Sequence, residues 1–143
     1  GVWGRGVAPP WLRKISSMRN LEVSSARAEL VDMRKRDSRS VMGCWTRDNT
    51  YRFGGKQWFT IFGWAILERA TSAVEALLQL VPAIHLDPCA GDVSENNGIT
   101  RVDGMFLAAW NARKEVVTLL LRHGASPFTV SMWSGFEVCI PLE

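Results

Sequence analysis

Residue types that bind metals or act as nucleophiles are few in this 143-residue sequence, which has two histidines and three cysteines. His85 and Cys89 lie four positions apart, whereas Cys44 and Cys139 are distant from that pair and from each other. No Cys-x-x-Cys or His-x-x-x-His spacing is present, so the sequence does not predict a local zinc site. We expect no metal ion and no cofactor.

Patterns that would indicate catalysis are also incomplete. Gly54-Gly55-Lys56 lacks the rest of a phosphate-binding loop, and no dinucleotide fingerprint, catalytic triad order or pair of carboxylates is recognisable. We interpret His123, directly before Gly124, as a structural residue at a helix end. The three cysteines do not form a disulfide framework and favour a reducing compartment. The sequence therefore predicts a protein that is not an enzyme.

Residues 103–127 predict two short helices and a stop. Asp103 is a good N-cap for the first helix, and Asn111-Ala112 turns the chain. The second helix spans Lys114 to Arg122 and ends before Gly124, which can adopt the left-handed conformation. Its predicted apolar face contains Val116, Val117, Leu120 and Leu121.

An upstream segment repeats this pattern at a spacing of 43 residues. Thr60 to Leu67 aligns with Asp103 to Trp110, and Ser72 to Gln79 aligns with Glu115 to Arg122. A single helix pair cannot bury its apolar face, so the two pairs are expected to stack. Between them, residues 81–102 are polar and interrupted by Pro and Gly, and they predict a long inserted loop without regular structure.

The second helix pair resembles an ankyrin repeat. The matching positions are Leu107-Ala108-Ala109, Glu115-Val116-Val117, Leu119-Leu120-Leu121, Gly124-Ala125 and Pro127. The resemblance implies a mostly α fold, a short ankyrin-repeat solenoid that binds other proteins through its hairpin tips and first helices. We expect a repeat domain over residues 56–143, with repeats at about 60–80 and 103–124 and an incomplete third repeat at 128–143.

The N-terminal extension, residues 1–55, differs in charge from the rest of the chain. Residues 1–56 carry 12 Lys and Arg against 5 Asp and Glu, whereas residues 57–143 carry 5 against 9. The first ten residues predict an extended segment, and Trp11 to about Asp37 predicts a helical cap. Gly43 to Lys56 predicts a turn-rich connection, with a hairpin that leads into Thr60. We expect the basic arm, Gly1 to Arg36, to contribute to binding and not to folding.

Seven tryptophans are more than two helix pairs can bury. Because Trp and Arg are enriched at the centres of protein interfaces, we interpret several of them as partner contacts. The candidate partner-binding residues are Trp3, Arg5, Trp11, Arg13, Lys14, Trp110, Arg113 and Trp133.

These features predict an accessory or structural subunit of a larger multi-subunit complex. A photosystem or a respiratory complex is an example of a suitable organellar setting. Two alternatives remain open: a nucleic-acid-binding subunit, as in an organellar ribosome, and a peripheral protein whose basic arm lies on anionic lipid. No apolar run approaches the roughly 20 residues needed to span a membrane. The sequence begins at Gly1 and not at Met, which we interpret as a processed or partial N-terminus of an intracellular, and for example organellar, protein.

Overall fold

The computed structural model describes residues 10–36, 50–53, 57–86, 90–93, 99–126, 128–133 and 136–141. Helices hold most of these residues, as predicted. The helices are α1 Pro10–Ser17, α2 Val23–Arg36, α3 Ile61–Leu67, α4 Thr71–Leu80, α5 Gly104–Trp110 and α6 Lys114–Arg122. Short 3-10 segments, Met18–Asn20 and Pro82–Leu86, follow α1 and α4. Over the described ranges, no helix is both long and apolar enough to cross a membrane.

Six strands form one antiparallel sheet whose order follows the sequence. They are β1 Thr50–Phe53, β2 Gln57–Thr60, β3 Gly91–Val93, β4 Ile99–Val102, β5 Phe128–Trp133 and β6 Phe136–Pro141. The hairpin predicted before Thr60 is confirmed: β1 pairs with β2, and Arg52 lies opposite Trp58. The other four strands were not predicted.

The prediction of an irregular loop over residues 81–102 is wrong. This segment contains the 3-10 turn Pro82–Leu86 and the hairpin of β3 and β4, and β3 also pairs with β2 through Gln57 and Val93. Strands of three or four residues are too short to show a clear alternation, and their structure depends on pairing with neighbours. A second missed hairpin joins two strands of six residues, in which Phe128 lies opposite Pro141 and Trp133 opposite Phe136.

Each of the first two hairpins of the sheet leads directly into a helix pair. The β1–β2 hairpin precedes α3 and α4, and the β3–β4 hairpin precedes α5 and α6. First helices pack on first helices and second helices on second helices: α3 contacts α5, and α4 contacts α6. The N-terminal helices extend the same order, since α1 contacts α3 and α2 contacts α4. The described helices therefore form three stacked layers. The first layer is α1 with α2, the second is α3 with α4, and the third is α5 with α6.

The first layer corrects the expectation that the N-terminal arm binds and does not fold. Ile15, Met18, Ala26 and Leu30 have no exposed surface and belong to the same apolar core as the later helices. In α2, Ala26, Leu30 and Met33 follow the i, i+4, i+7 spacing of a helix with one buried face, although the helix is rich in charge. A helix with a strongly basic composition can therefore still have a narrow apolar face that packs into the core.

The starts of α3 and α5 are capped in the same way, 43 residues apart. The Thr60 hydroxyl accepts a hydrogen bond from the Gly63 amide at 3.1 Å, and the Asp103 carboxylate accepts one from the Phe106 amide at 2.8 Å. Both capping side chains are buried. These bonds satisfy amides that the helix itself leaves without a partner.

The face assigned to α6 from the sequence is partly wrong. Val116 and Leu120 are buried as predicted, and Leu119 is buried with them. Leu121 is exposed and Val117 is half-buried. The buried face of α6 is thus rotated by about one residue from the predicted one.

Candidate protein interaction surface

The second and third layers touch through glycines and one carbonyl group. The Ala90 carbonyl, just before β3, accepts from both the amide and the hydroxyl of Thr60, each at 3.0 Å. A Cβ at Gly63 would overlap this carbonyl oxygen. A Cβ at Gly104 would lie 2.6 Å from the ring of Phe62. Neighbouring layers are therefore so close that a Cβ at Gly63 would meet backbone, and a Cβ at Gly104 would require the Phe62 side chain to move.

Arg113, predicted to contact a partner, joins the same two layers. Its guanidinium donates to the Leu67 carbonyl at 2.9 Å and to the Asn111 carbonyl at 2.8 Å. Burial lowers the pKa of Arg113 below its ordinary value, the neighbouring positive charge of Arg69 acts in the same direction, and Glu68 opposes both. Arg113 remains charged, because a guanidinium group is not deprotonated in proteins. Its hydrogen bonds satisfy the C-terminal end of α3 and hold the third layer in place.

An exposed apolar surface lies on the outer side of the third layer. We define the end face as Ala109 and Trp110 of α5 with Val117 and Leu121 of α6. Trp110 is 59% exposed and Leu121 is 44% exposed. The rings of Trp110 and Phe106 are in contact, with centroids 4.9 Å apart. The prediction that Trp110 lies at an exposed helix end agrees with this position.

The residues that precede the end face by 43 positions are covered. Ile66 is fully buried where Ala109 is exposed, and Leu67 is half-buried where Trp110 is exposed. The difference is sharper in the second helices, because Leu78 is 1% exposed and its equivalent, Leu121, is 44% exposed. The covered residues lie on the layer that α5 and α6 pack against, so the end face is the side on which a further layer would pack.

Three of the seven basic side chains in residues 10–36 form ion pairs with acidic groups of this chain. Lys14 forms an ion pair with Glu29 at 2.9 Å, and Arg36 forms one with Asp32 at 2.7 Å. Arg19 binds both the carbonyl and the carboxylate of one residue, Glu68. These pairs are solvent-exposed and contribute little stability. They nevertheless reduce the positive charge that this surface presents to a partner.

The candidate partner-binding residues lie on several different elements. Arg13 and Lys14 are exposed on α1, in the first layer, whereas Trp110 and Arg113 belong to the third. Trp11 lies in α1 and Trp133 in β5, where it pairs with Phe136, but only their backbone positions are described. Trp3 and Arg5 lie outside the described residues.

Leu121 and Val117 belong to the end face, although the apolar pattern of α6 predicts both as buried together with Val116 and Leu120. The signal that could have identified them is position in the repeat: the last helix pair has no following helix pair among the described residues to cover it.

The described residues contain no group of three or more His, Cys, Asp or Glu side chains close enough to hold a metal ion. His85 lies half-buried in the 3-10 turn after α4, and Cys139 lies in β6. Cys44 and Cys89 fall outside the described ranges. Comparison of the chain with family models, with curated proteins and with solved structures finds no significant match.

Proposed function

We propose that this protein is a non-catalytic protein interaction module and acts as an accessory or structural subunit of a larger complex. We further propose that its repeats are of the ankyrin type. In support, a hairpin followed by a pair of short helices occurs twice at a spacing of 43 residues. The two units share an N-cap at Thr60 and Asp103 and have first helices of equal length.

The end face is the observation that carries this proposal. A large aromatic side chain and an aliphatic one, Trp110 and Leu121, are exposed together on the outer side of the last described helix pair. Large apolar side chains exposed on one side of a helix pair are typical of a binding site, and tryptophan is over-represented among the residues that dominate binding energy. A stacked array with an uncovered apolar end also gains stability from a neighbour, which favours a constitutive subunit over a transient adaptor.

The contacts of the basic residues favour a protein partner over nucleic acid or a lipid surface. Lys14, Arg19 and Arg36 each bind an acidic side chain of this chain, and such pairing lowers the number of cations that can neutralise phosphates. The four residues of the end face are all uncharged, and one cation, the exposed Lys114, lies on the same side of α6. An apolar surface beside a single cation suits a protein partner better than a row of phosphates, which requires several cations.

The test is the size of the assembly that contains the full-length chain in a native extract. A tagged chain expressed at its natural level should elute as one complex of fixed stoichiometry. The complex should survive nuclease treatment and about 0.5 M salt, because an apolar interface is not screened as phosphate contacts are. Elution at the monomer mass would contradict the proposal. Release by nuclease or by moderate salt would instead favour a nucleic-acid or membrane-surface role.

A further inference from the structure

The sheet extends one hairpin further than the helix stack. The hairpins β1–β2 and β3–β4 are each followed at once by a helix pair, whereas β5–β6 ends at Pro141 with no described helix after it. This third hairpin is hydrogen-bonded to β4, and β5 lies against α5. The third hairpin therefore marks the position of a fourth layer, next to α5 and α6. Among the described residues, this fourth layer has a hairpin and no helices.

A helix pair in this layer would pack on the end face, which is apolar. In the preceding layer, the equivalent surface is covered by α5 and α6, and Leu78 retains only 1% of its exposure. Close approach there depends on a small residue at the start of the covering helix, since Gly104 lies against Phe62 and Ile66. If the end face is covered in the same way, its occupant is a helix pair whose first helix begins with a small residue.

We propose that the end face is a docking site for a helix pair of a partner protein, which stacks on α5 and α6 as a fourth layer. This inference rests on the proposed function and names its binding surface. The interface continues one that the chain already forms twice, between the first and second layers and between the second and third. The partner presents apolar side chains to Trp110 and Leu121.

Charge excludes a second copy of this chain as the preferred occupant. Lys114 is exposed and lies in line with Val117 and Leu121, at the i, i+3, i+7 spacing of one helix face. Two end faces in contact would bring two copies of Lys114 into one apolar interface. A head-to-tail contact would place Lys114 against the first layer, whose exposed side chains include Arg13, Arg34 and Lys35 and the acidic Glu22, so that positive charge is in excess there. An acidic side chain on a different partner complements Lys114 in either orientation.

The first experiment uses the chain's own third helix pair as a defined probe. Residues 103–126 are appended to the full chain two residues after Glu143, so that the new N-cap continues the spacing of Thr60 and Asp103. The protein is labelled with 5-fluorotryptophan, and the ¹⁹F signal of Trp110 is assigned with the Trp110→Phe variant. The measured quantity is the solvent isotope shift, the change in the ¹⁹F chemical shift between H2O and D2O, which reports exposure to solvent. Stacking should abolish most of this shift for Trp110 and leave the isotope shifts of the other tryptophans of the original chain nearly unchanged.

A matched fusion with Leu121→Asp provides the control, because it places a charge in the same surface. Its Trp110 signal should keep the isotope shift of the unfused chain. The proposal is overturned if Trp110 keeps its full shift in the fusion that retains Leu121, since the surface then does not accept a helix pair.

The second experiment separates this inference from the proposed function. The native complex of the full-length chain is isolated with the natural residue, with Leu121→Asp and with Arg34→Glu, a control on the exposed side of α2. Recovery of the complex should fall about tenfold or more for Leu121→Asp and change little for Arg34→Glu. Equal recovery from all three would refute the docking site and leave the interaction function standing. Absence of any complex would refute the interaction function itself. A homodimer that Leu121→Asp dissociates would replace the partner protein with a second copy.

Discussion

Arg69 and Ala112 adopt the same left-handed backbone conformation, with φ angles of 57° and 55°, and lie 43 residues apart in the turns that join α3 to α4 and α5 to α6. The residue after each donates an equivalent hydrogen bond: Ala70 to the Ala65 carbonyl at 3.0 Å, and Arg113 to the Ala108 carbonyl at 2.8 Å. Non-glycine residues seldom adopt positive φ, so the turn geometry is a shared requirement of the two units.

Ala112→Gly should stabilise the protein by about 0.5–1 kcal/mol, because glycine adopts this conformation without strain and the exposed Ala112 side chain contributes little packing. The matched control is Ala109→Gly, three residues earlier and exposed within α5, which should destabilise by a similar amount. Denaturant unfolding of the two variants measures both effects. Destabilisation by both changes would mean that the turn is not strained at Ala112.

Leu120→Ala should destabilise the chain by about 2–5 kcal/mol, because it removes a fully buried side chain and leaves a cavity. Leu121→Ala removes the same atoms from an exposed position and should cost less than about 1 kcal/mol in the free chain. The free energies of unfolding of these neighbouring variants compare burial directly. Equal losses would indicate that the end face is part of the folded core.

Thr60→Val keeps the shape of the side chain but removes both the cap of α3 and the hydrogen bond to Ala90. We expect a loss of about 1–2 kcal/mol, since the Gly63 amide and the Ala90 carbonyl lose a buried partner. Thr118→Val is the control, because the Thr118 hydroxyl is exposed and bonds only within α6. Its effect should stay within about 0.5 kcal/mol. Thermal unfolding that fails to distinguish the two would argue against the capping role.

Gly63→Ala should destabilise by about 1–3 kcal/mol or more, because the new methyl group meets a backbone carbonyl that two hydrogen bonds hold in place. Gly104→Ala is the comparison variant and should cost less, since its methyl group meets the edge of a phenylalanine ring, which can rotate away. A melting temperature that rises in the Gly63 variant would show that the layers are further apart than described.

The sequence predicted the features that are encoded locally and repeated. Thr60 and Asp103 could be recognised as caps because each stands directly before an apolar helix, and their spacing identified the repeated unit. The sheet could not be recognised beyond its first hairpin. Strands such as Gly91–Val93 are only three residues long, and their partners lie in other units of the chain.

The sequence pattern predicted where the helices lie more accurately than it predicted which of their side chains are buried. Leu78 and Leu121 are equivalent in sequence, yet one is covered and the other exposed, because exposure depends on whether another layer packs against the helix pair. Arg113 was predicted as a partner contact from its charge, and the structure adds hydrogen bonds from its guanidinium to two carbonyls of its own chain. Neither outcome is visible from residue type alone.

The central claim is that this chain binds a protein partner through the end face. A photoreactive benzoylphenylalanine placed at position 121, in the full-length chain within its native complex, tests this claim most directly, with position 34 on α2 as the comparison site. If the end face is the binding surface, position 121 should cross-link to a helical segment of one partner polypeptide, and position 34 should give little product. Cross-linking from position 34 with none from position 121 would contradict it.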